Sequence, residues 1–484
     1  MIAILLLNCT SHAAESADLQ SNVLIVSDAT VGESDPPAFD PPAPPPLQFA
    51  GTGLDTTATT PLLMAAANPV NAPATNDLAA QVKSLQANVD GLKASLEKKT
   101  YPTVKLTGFF QADAVWVRQS PDNRLAIVNG APLGDIQDGA DFRRTRLGAV
   151  GDVTENVSYM IEMDFANPGR PSFMDVFLDV HEVPWLGNVK VGQWRQPFGM
   201  DALTSVKELM FLERALPFAF VPFRQLGVGF YDNDEELGLT WAASAFRYPA
   251  DFFGGNVGDN GGYGGSTRIT GLLLEGDCNE TVHVGFNYSF LNPSNDLVQF
   301  RNQPELFDNQ TPGAPFPAPA DATLPFFVDT GLLPTNNIHL YGAELAGTYG
   351  SWFAQSEFMA ANVDRTTGST VNFWGGYAQL AYMLTGEHHP YNKKTGVYGR
   401  VVPDQPYKAC CGCGAWELAG RWSYLDLNDA DVRGNQLQDF TCGLNWYMNK
   451  FTKFQFNYIH ALLESTPGNK STADLFAIRA QLDF

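Results

Sequence analysis

The sequence predicts an all-β protein, a transmembrane antiparallel β-barrel of about 16 strands preceded by a short N-terminal coiled-coil helix. Three observations support this. Hydrophobicity alternates with a period of two residues from Tyr101 onward. Aromatic residues make up 12% of the chain and glycine occurs 44 times, a composition that suits strands, turns and aromatic girdles. Although 44% of the residues are hydrophobic, no apolar run approaches the ~18 residues of a spanning helix.

The alternation is clear in the segment after residue 101. There Leu106, Phe110 and Trp116 fall on one face, and Gln111 and Asp113 fall on the other. The same pattern recurs at residues 157–165, 282–290, 416–424, 454–458 and 476–484. The polar faces carry charges in mid-strand, as a water-filled lumen permits, and only a closed sheet satisfies every backbone group of a strand in lipid.

The barrel is predicted to occupy residues 101–484. Its last residue, Phe484, ends an alternating strand, and bacterial outer-membrane barrels commonly end in an aromatic residue. Long loops rich in Gly, Pro, Asp or Asn are predicted at residues 251–267, 292–336 and 387–414. We expect all three to face outward, because the periplasmic turns of such barrels are short.

Residues 1–13 are predicted to form a signal peptide. The stretch has an apolar core at residues 2–7 and a small-residue cleavage site at residues 11–13, although the usual positive charge is missing. A lipoprotein anchor at Cys9 is the alternative, and Asn8 before it is not the expected small residue. Residues 14–75 are polar and Pro-rich, which predicts a disordered or semi-rigid spacer.

Residues 76–99 are predicted to form a coiled coil. Apolar residues recur there with spacings of four and three, at Leu78, Val82, Leu85, Val89, Leu92 and Leu96. Three heptads are marginal for two helices alone, so association needs the high local concentration that a trimeric barrel supplies. A single amphipathic helix lying on another surface is the alternative.

The net charge and the cysteines indicate which partners and cofactors to expect. The net charge of −22 argues against nucleic acid as a partner. Beyond the signal peptide the cysteines are Cys278, Cys410, Cys411, Cys413 and Cys442. The cluster at residues 410–413 is interpreted as a disulfide within a loop rather than a zinc site, because a structural zinc site needs about four ligands. No metal or other cofactor is expected.

Several segments resemble a known family of outer-membrane channels, the phosphate-selective porin O and P family. The strongest match is Gly192-Gln193-Trp194-Arg195-Gln196-Pro197-Phe198-Gly199. Further matches lie at residues 142–148, 151–165, 203–205, 211–217, 225–227, 384–388, 416–427 and 444–447. The resemblance implies a homotrimer of 16-stranded barrels in the outer membrane, each with a loop folded into its lumen. By resemblance, residues 201–224 form that constriction, and Pro197, Pro217 and Pro222 interrupt strand pairing there.

In anion-selective relatives, arginine and lysine side chains line the passage. Here the candidate pore-lining anion contacts are Arg143, Arg144, Arg146, Lys190, Arg195, Lys207, Arg214 and Arg224. A lipid-facing arginine costs ~2–4 kcal/mol at mid-bilayer, which favours a lumen position for the group. The alternative for each is an ion pair: Arg144 with Glu162 or Asp164, and Arg214 with Glu213 or Glu208.

The leading functional hypothesis is a channel for passive diffusion of small anions, of the phosphate or polyphosphate type. The first rival is a general or sugar-permeable porin. The second is a structural outer-membrane anchor with a blocked lumen. No serine, histidine and aspartate constellation indicates catalysis, so an enzyme is not expected. The predicted location is the outer membrane of a Gram-negative-type bacterium, with the spacer and coiled coil in the periplasm.

Overall fold

The structure, a computed structural model, describes residues 82–86, 88, 100–166, 171–251, 253–258, 261–277, 279–306, 324–408, 412–466 and 468–484. Two units divide the chain, Met1–Lys98 and Lys99–Phe484. In the first unit, residues 82–86 and 88 are helical. The predicted signal peptide, the spacer and the rest of the predicted coiled coil lie outside the described residues. Among the described helices, none is long and apolar enough to cross a membrane.

Within the described part of the second unit, sixteen strands form a closed barrel, which confirms the predicted fold. In chain order they are β1 (Lys105–Gln119), β2 (Gly139–Thr154), β3 (Val157–Asp164), β4 (Ser172–Val183), β5 (Gly187–Arg195), β6 (Arg224–Asp234), β7 (Leu239–Arg247), β8 (Tyr263–Gly276), β9 (Glu280–Asn292), β10 (Leu333–Tyr349), β11 (Trp352–Arg365), β12 (Val371–Met383), β13 (Ala415–Asp429), β14 (Val432–Asn449), β15 (Thr452–Thr466) and β16 (Asn469–Asp483).

Shorter elements lie in the connections. The α-helices are α1 (Pro121–Leu125) and α2 (Met200–Leu203), and Leu216–Phe220 and Ser294–Asp296 are 3₁₀ helices. Two-residue strands occur at Ile127–Val128, Ala131–Pro132, Leu297–Val298, Arg301–Asn302, Val328–Asp329, Tyr391–Asn392 and Val397–Tyr398.

The barrel closes because β1 pairs with both β2 and β16. The β1–β16 register places Ala112 opposite Ala480 and Ala114 opposite Ile478. Consecutive strands pair antiparallel around the ring, so no edge is left unpaired.

The predicted faces are confirmed in the barrel strands. On β1 the predicted lipid-facing Trp116 is 45% exposed, whereas Gln111 on the opposite face is fully buried. Aromatic pairs mark both rims of the outer surface, with Trp416 stacked on Trp446 at one rim and Trp374 against Tyr424 at the other. This is the double aromatic girdle of an outer-membrane barrel.

The two ends of the barrel differ in their connections. At one end, here the turn end, the links after β2, β4, β6, β8, β10 and β14 are short, and β1 begins and β16 ends there. The connections after β7 and β9 overlap the loops predicted at 251–267 and 292–336, and they start and finish at the other end, here the loop end. The prediction for residues 387–414 was wrong. This connection joins β12 to β13 and therefore starts and finishes at the turn end.

Part of the barrel interior is an apolar core instead of the predicted polar lumen face. Near the loop end, the inward positions of β11–β16 are hydrophobic and fully buried; they include Val363, Val371, Phe373, Leu425, Leu427, Leu437, Ile459, Leu463 and Leu475. Phe300, Leu306 and Phe327 of the 293–332 connection pack against them. Each such side chain contributes about 1.5–3 kcal/mol of burial, so this connection is anchored inside the barrel.

Candidate functional site

The connection between β5 and β6, residues 196–223, runs inside the barrel and is called here the constriction loop. It leaves the sheet at Pro197 and Gly199, whose φ of +78° favours glycine. Pro217 and Pro222, like Pro197, lie outside the strand ladder, as predicted. The location inside the barrel predicted for residues 201–224 is confirmed, except that Arg224 already begins β6.

Inward side chains of the barrel satisfy the backbone of the constriction loop. The Lys453 ammonium donates to the carbonyls of Lys207 (3.0 Å) and Leu209 (2.9 Å). The Gln455 and Asn445 side-chain amides donate to the carbonyl of Met210 at 3.1 and 2.8 Å. Buried backbone groups need such partners, so these bonds determine where the loop lies against β14 and β15.

One carboxylate holds the first turn of α2. Glu357 on β11 accepts from the backbone N–H of Met200 (2.6 Å) and of Asp201 (2.9 Å), and the Tyr377 hydroxyl donates to it at 2.6 Å. A carboxylate at a helix N-terminus accepts N–H groups that the helix itself leaves unpaired. Glu357 therefore fixes the beginning of the constriction loop to the wall.

Two candidate arginines bind the other end of α2. Arg195 donates to the carbonyls of Ala202, Leu203 and Thr204, the last at 2.9 Å. Arg214 donates to the carbonyls of Asp201 and Thr204, each at 2.8 Å. The predicted alternative for Arg214, an ion pair with Glu213 or Glu208, is therefore wrong, because its donors are taken by these carbonyls.

Glu213 is the centre of an arginine cluster. It accepts from Arg143 (2.9 Å), Arg144 (2.8 Å) and Arg479 (3.0 Å). Burial alone would raise the pKa of the Glu213 carboxyl, but Arg143, then Arg144 and Arg479, hold it well below its usual 4.5. Because a group with a lowered pKa stabilises the fold above its unfolded pKa, this contribution is lost only as the pH falls through the lowered value.

A β-bulge places two consecutive arginines inside the barrel. Gln111 of β1 pairs with Arg144, whereas the next residue, Ala112, pairs with Phe142, so Arg143 is the extra residue. A bulge redirects a side chain that strict alternation would send to the lipid. Arg143 and Arg144 can therefore both reach Glu213. The predicted alternative partners of Arg144, Glu162 and Asp164, bind Arg146 instead, at 3.2 and 2.8 Å.

The remaining candidates also face carboxylates. Arg224 forms a two-bond pair with Asp175, at 3.0 and 2.9 Å. The ammonium of Lys190 lies 3.2 Å from Asp179 and over the rings of Phe177 (4.3 Å) and Tyr231 (4.8 Å). Each of these cations is held by a partner that the sequence left unidentified.

Lys207 is the candidate with the loosest partner. Its ammonium lies 3.9 Å from Asp483, beyond hydrogen-bonding distance, and its side chain is 25% exposed. Exposure separates the eight candidates. Among the candidates with ion pairs, the more exposed side chains are those of Lys207, Lys190 (19%) and Arg143 (13%). The side chains of Arg144 (5% exposed) and Arg146 (7% exposed) are nearly buried.

A second segment enters the barrel, from the turn end. Residues 384–408, here the inserted segment, reach Arg268 of β8, which donates to the carbonyls of Thr395 (3.1 Å) and Gly396 (2.8 Å). Farther along the wall, its His389 binds Glu417 of β13. Its Arg400 pairs with Glu208 of the constriction loop. Arg400 is not among the cations predicted from the sequence, because the pattern there predicts an outward-facing loop.

The cysteines named above are only partly covered by the structure. Cys278, Cys410 and Cys411 lie outside the described residues, and Cys442 is on the exposed outer face of β14. Within the described ranges, no group of three or more His, Cys, Asp or Glu residues could hold a metal ion.

The carboxylate of Glu357 offers a direct test of how the constriction loop is held. We expect Glu357→Ala to lower the unfolding free energy by about 3 kcal/mol, because two buried backbone N–H groups lose their acceptor. Single-channel conductance in planar bilayers should rise as the loop moves away from the wall.

Tyr377→Phe is the matched control for Glu357→Ala. It removes one hydrogen bond to the same carboxylate and leaves both N–H bonds of α2 in place. We expect it to keep the wild-type conductance. Equal conductance in Glu357→Ala and the wild type would contradict the role of Glu357.

Several known proteins are similar to this chain. Residues 126–484 match the family described as phosphate-selective porin O and P. An uncharacterized protein of Caulobacter vibrioides is 30% identical over 354 residues, 72% of this chain and 68% of that protein. Porin O of Pseudomonas aeruginosa is 24% identical over 376 residues, 72% of this chain and 83% of that one. The solved structure of an anion-selective porin from Comamonas acidovorans aligns with a TM-score of 0.47 at 12% identity, over 79% of this chain and 100% of that chain.

Proposed function

We propose that this chain, which belongs to the phosphate-selective porin O and P family, prefers small anions among the solutes that diffuse through it. The protein is an outer-membrane channel, as its barrel and its family show. The finer proposal concerns selectivity, which depends on the charges that a solute meets inside the barrel. Rings of basic side chains favour anions, and rings of acidic side chains favour cations.

One observation carries the anion preference: in the two lysine ion pairs among the candidates, the cation is more exposed than its carboxylate. The side chain of Lys190 is 19% exposed and that of its partner Asp179 is 6% exposed. For Lys207 and Asp483 the exposed fractions are 25% and 6%. A passing solute therefore meets the ammonium group of each of these two pairs before it meets the carboxylate.

Phosphate is the proposed favoured anion. Two oxygen atoms of the phosphate tetrahedron can accept from the planar fork of one guanidinium. Arg143 is the most accessible arginine of the Glu213 cluster, at 13% exposure. The description of the family, phosphate-selective porin O and P, supports the same class of solute. Of the eight candidates, we propose Arg143, Lys190 and Lys207 as direct contacts. Arg144, Arg146, Arg195, Arg214 and Arg224 are proposed to hold the constriction loop and wall.

The reversal potential of the purified protein in planar bilayers tests the proposal. In a roughly tenfold KCl gradient, we expect the sign that marks faster chloride than potassium movement. Adding phosphate should lower the chloride current through competition at the same cations. A reversal potential of cation sign would overturn the proposal. A potential near zero without phosphate competition would favour the general porin.

We also propose a homotrimer whose turn end and residues 14–99 face the periplasm. The heptad spacing of residues 76–99 supports three-fold association, and short turns mark the periplasmic end of such barrels. Removing residues 76–99 should reduce the trimer fraction measured by light scattering in mild detergent. A dimer or monomer of the full chain would overturn the trimer.

A further inference from the structure

Arg400 of the inserted segment occupies a junction between three parts of the barrel. Its guanidinium donates to Glu208 of the constriction loop (2.8 Å), to Asp483 of β16 (2.5 Å) and to the carbonyl of Lys450 in the turn after β14 (2.6 Å). The side chain is nevertheless 28% exposed, more than the 13% of Glu208 or the 6% of Asp483. The cation therefore covers its two carboxylates.

Lys207 lies beside Arg400, because both cations approach the same oxygen of Asp483. The distance from that oxygen to the Lys207 ammonium is 3.9 Å. Among the described residues, the Lys207 ammonium forms no hydrogen bond, so its N–H donors are available to a solute. The constriction loop and the inserted segment thus bring one cation each to a single spot.

The exposed charges at this spot are the two cations. A third cation, Lys453, lies close to Lys207 and is 3% exposed. Its ammonium binds the carbonyls of Lys207 and Leu209 and forms no ion pair within the described ranges. It also lies 5.5 Å from the ring of Tyr447, whose hydroxyl binds Glu417. Three cations therefore face three carboxylates, and what favours an anion is the greater exposure of the two outer cations. Unit charges interact over these distances far more strongly in a partly dry interior than in water.

We infer that Lys207 and Arg400 form an anion-contacting position at the turn end, between the constriction loop and the inserted segment, for small inorganic anions. Arg400 is then a selectivity-determining residue contributed by an element that the sequence places elsewhere. The inference rests on the proposed anion preference, and it adds Arg400 to the cations proposed above as direct contacts. An ion leaving the constriction loop toward the turn end would meet this pair.

Reversal potentials of four variants test the inference. Arg400→Gln and Lys207→Gln should each lower the ratio of chloride to potassium permeability by about two- to threefold. Arg400→Lys keeps the charge and should keep the ratio. Arg124→Gln removes an equal charge from α1 at the loop end, where the side chain is 52% exposed and screened, and it should leave the ratio unchanged.

The variants also separate selectivity from structure. Because Lys207 forms no hydrogen bond through its ammonium within the described ranges, Lys207→Gln keeps the test valid even if Arg400→Gln fails to fold. A change in conductance without a change in the permeability ratio, in both glutamine variants, would assign these residues a structural role and overturn the inference.

The proposed function and the inference fail in different measurements. A wild-type protein that prefers cations would overturn the anion preference. The inference depends on the difference in reversal potential between Arg400→Gln and Arg124→Gln. This difference can be measured whether the wild-type protein prefers anions or cations. Equal reversal potentials in those two variants would overturn it.

Discussion

Replacement of Arg479 by methionine is expected to destabilise the barrel by about 3–5 kcal/mol, because it leaves a buried carboxylate without its partner. Arg479 and Asp113 are both fully buried, and two hydrogen bonds of 2.7 and 2.6 Å join them. Arg479 also donates to the carbonyl of Leu212 and to Glu213. The closing strands β1 and β16 and the constriction loop thus meet at one guanidinium.

Urea unfolding in lipid vesicles, followed by tryptophan fluorescence, measures this loss. The control is the double variant Asp113→Asn/Arg479→Met, in which no unpaired charge is buried. We expect it to recover part of the lost unfolding free energy, because most of the cost comes from the uncompensated carboxylate. An Arg479→Met midpoint equal to the wild type would contradict the assignment of this pair as the link across the barrel closure.

The outer surface could be predicted from the sequence because lipid imposes a strict rule. Each outward residue between the girdles must be apolar, so the period of two is visible at Leu418 and Trp422 on β13. The rule holds for only one face. Inward residues near the loop end, such as Leu425 and Leu427, are also apolar, because the 293–332 connection packs against them. Alternation of polarity is lost where the connection inside the barrel is apolar, and it is kept opposite the constriction loop, where Lys453 and Gln455 bind backbone carbonyls.

The site was harder to predict because its contacts are distant in sequence. Glu213 precedes Arg214 in the chain, yet it binds Arg143, Arg144 and Arg479. The bulge at Arg143 has no glycine or proline to mark it. The sequence of a long connection also does not show at which end of the barrel it lies. Arg400 is therefore predicted in an outer loop, although its segment enters the barrel from the turn end. The residue types indicated cationic lining, but only the packing shows which cations are covered.

The variant Glu213→Gln is expected to raise the ratio of chloride to potassium permeability by severalfold. It removes the negative charge from the centre of the Arg143, Arg144 and Arg479 cluster and keeps the size of the side chain. Asp113 still neutralises Arg479, so Arg143 and Arg144 gain most of the uncompensated charge. Arg143 is the member of the cluster with the most contact with the lumen, and Coulomb interactions are strong where water is scarce.

The pH dependence gives this expectation a definite sign. The three arginines hold the pKa of Glu213 well below 4.5, so its charge persists when the medium is acidified to about pH 5. The selectivity of the wild-type protein should therefore not approach that of Glu213→Gln through protonation of Glu213 in this range. The wild-type selectivity should approach that of the variant only as the pH falls through the lowered pKa of Glu213. There the stabilising charge of Glu213 is also lost.

Glu275→Gln serves as the matched control for Glu213→Gln. Glu275 lies at the turn end, is 56% exposed and pairs with Lys393 of the inserted segment. It carries the same charge as Glu213, but bulk solvent and salt screen it. If both variants shift the reversal potential equally, the total charge of the protein sets selectivity, and the Glu213 cluster has no special role. A shift confined to Glu213→Gln means that the constriction loop, through one carboxylate, limits how strongly the arginines of the wall attract anions.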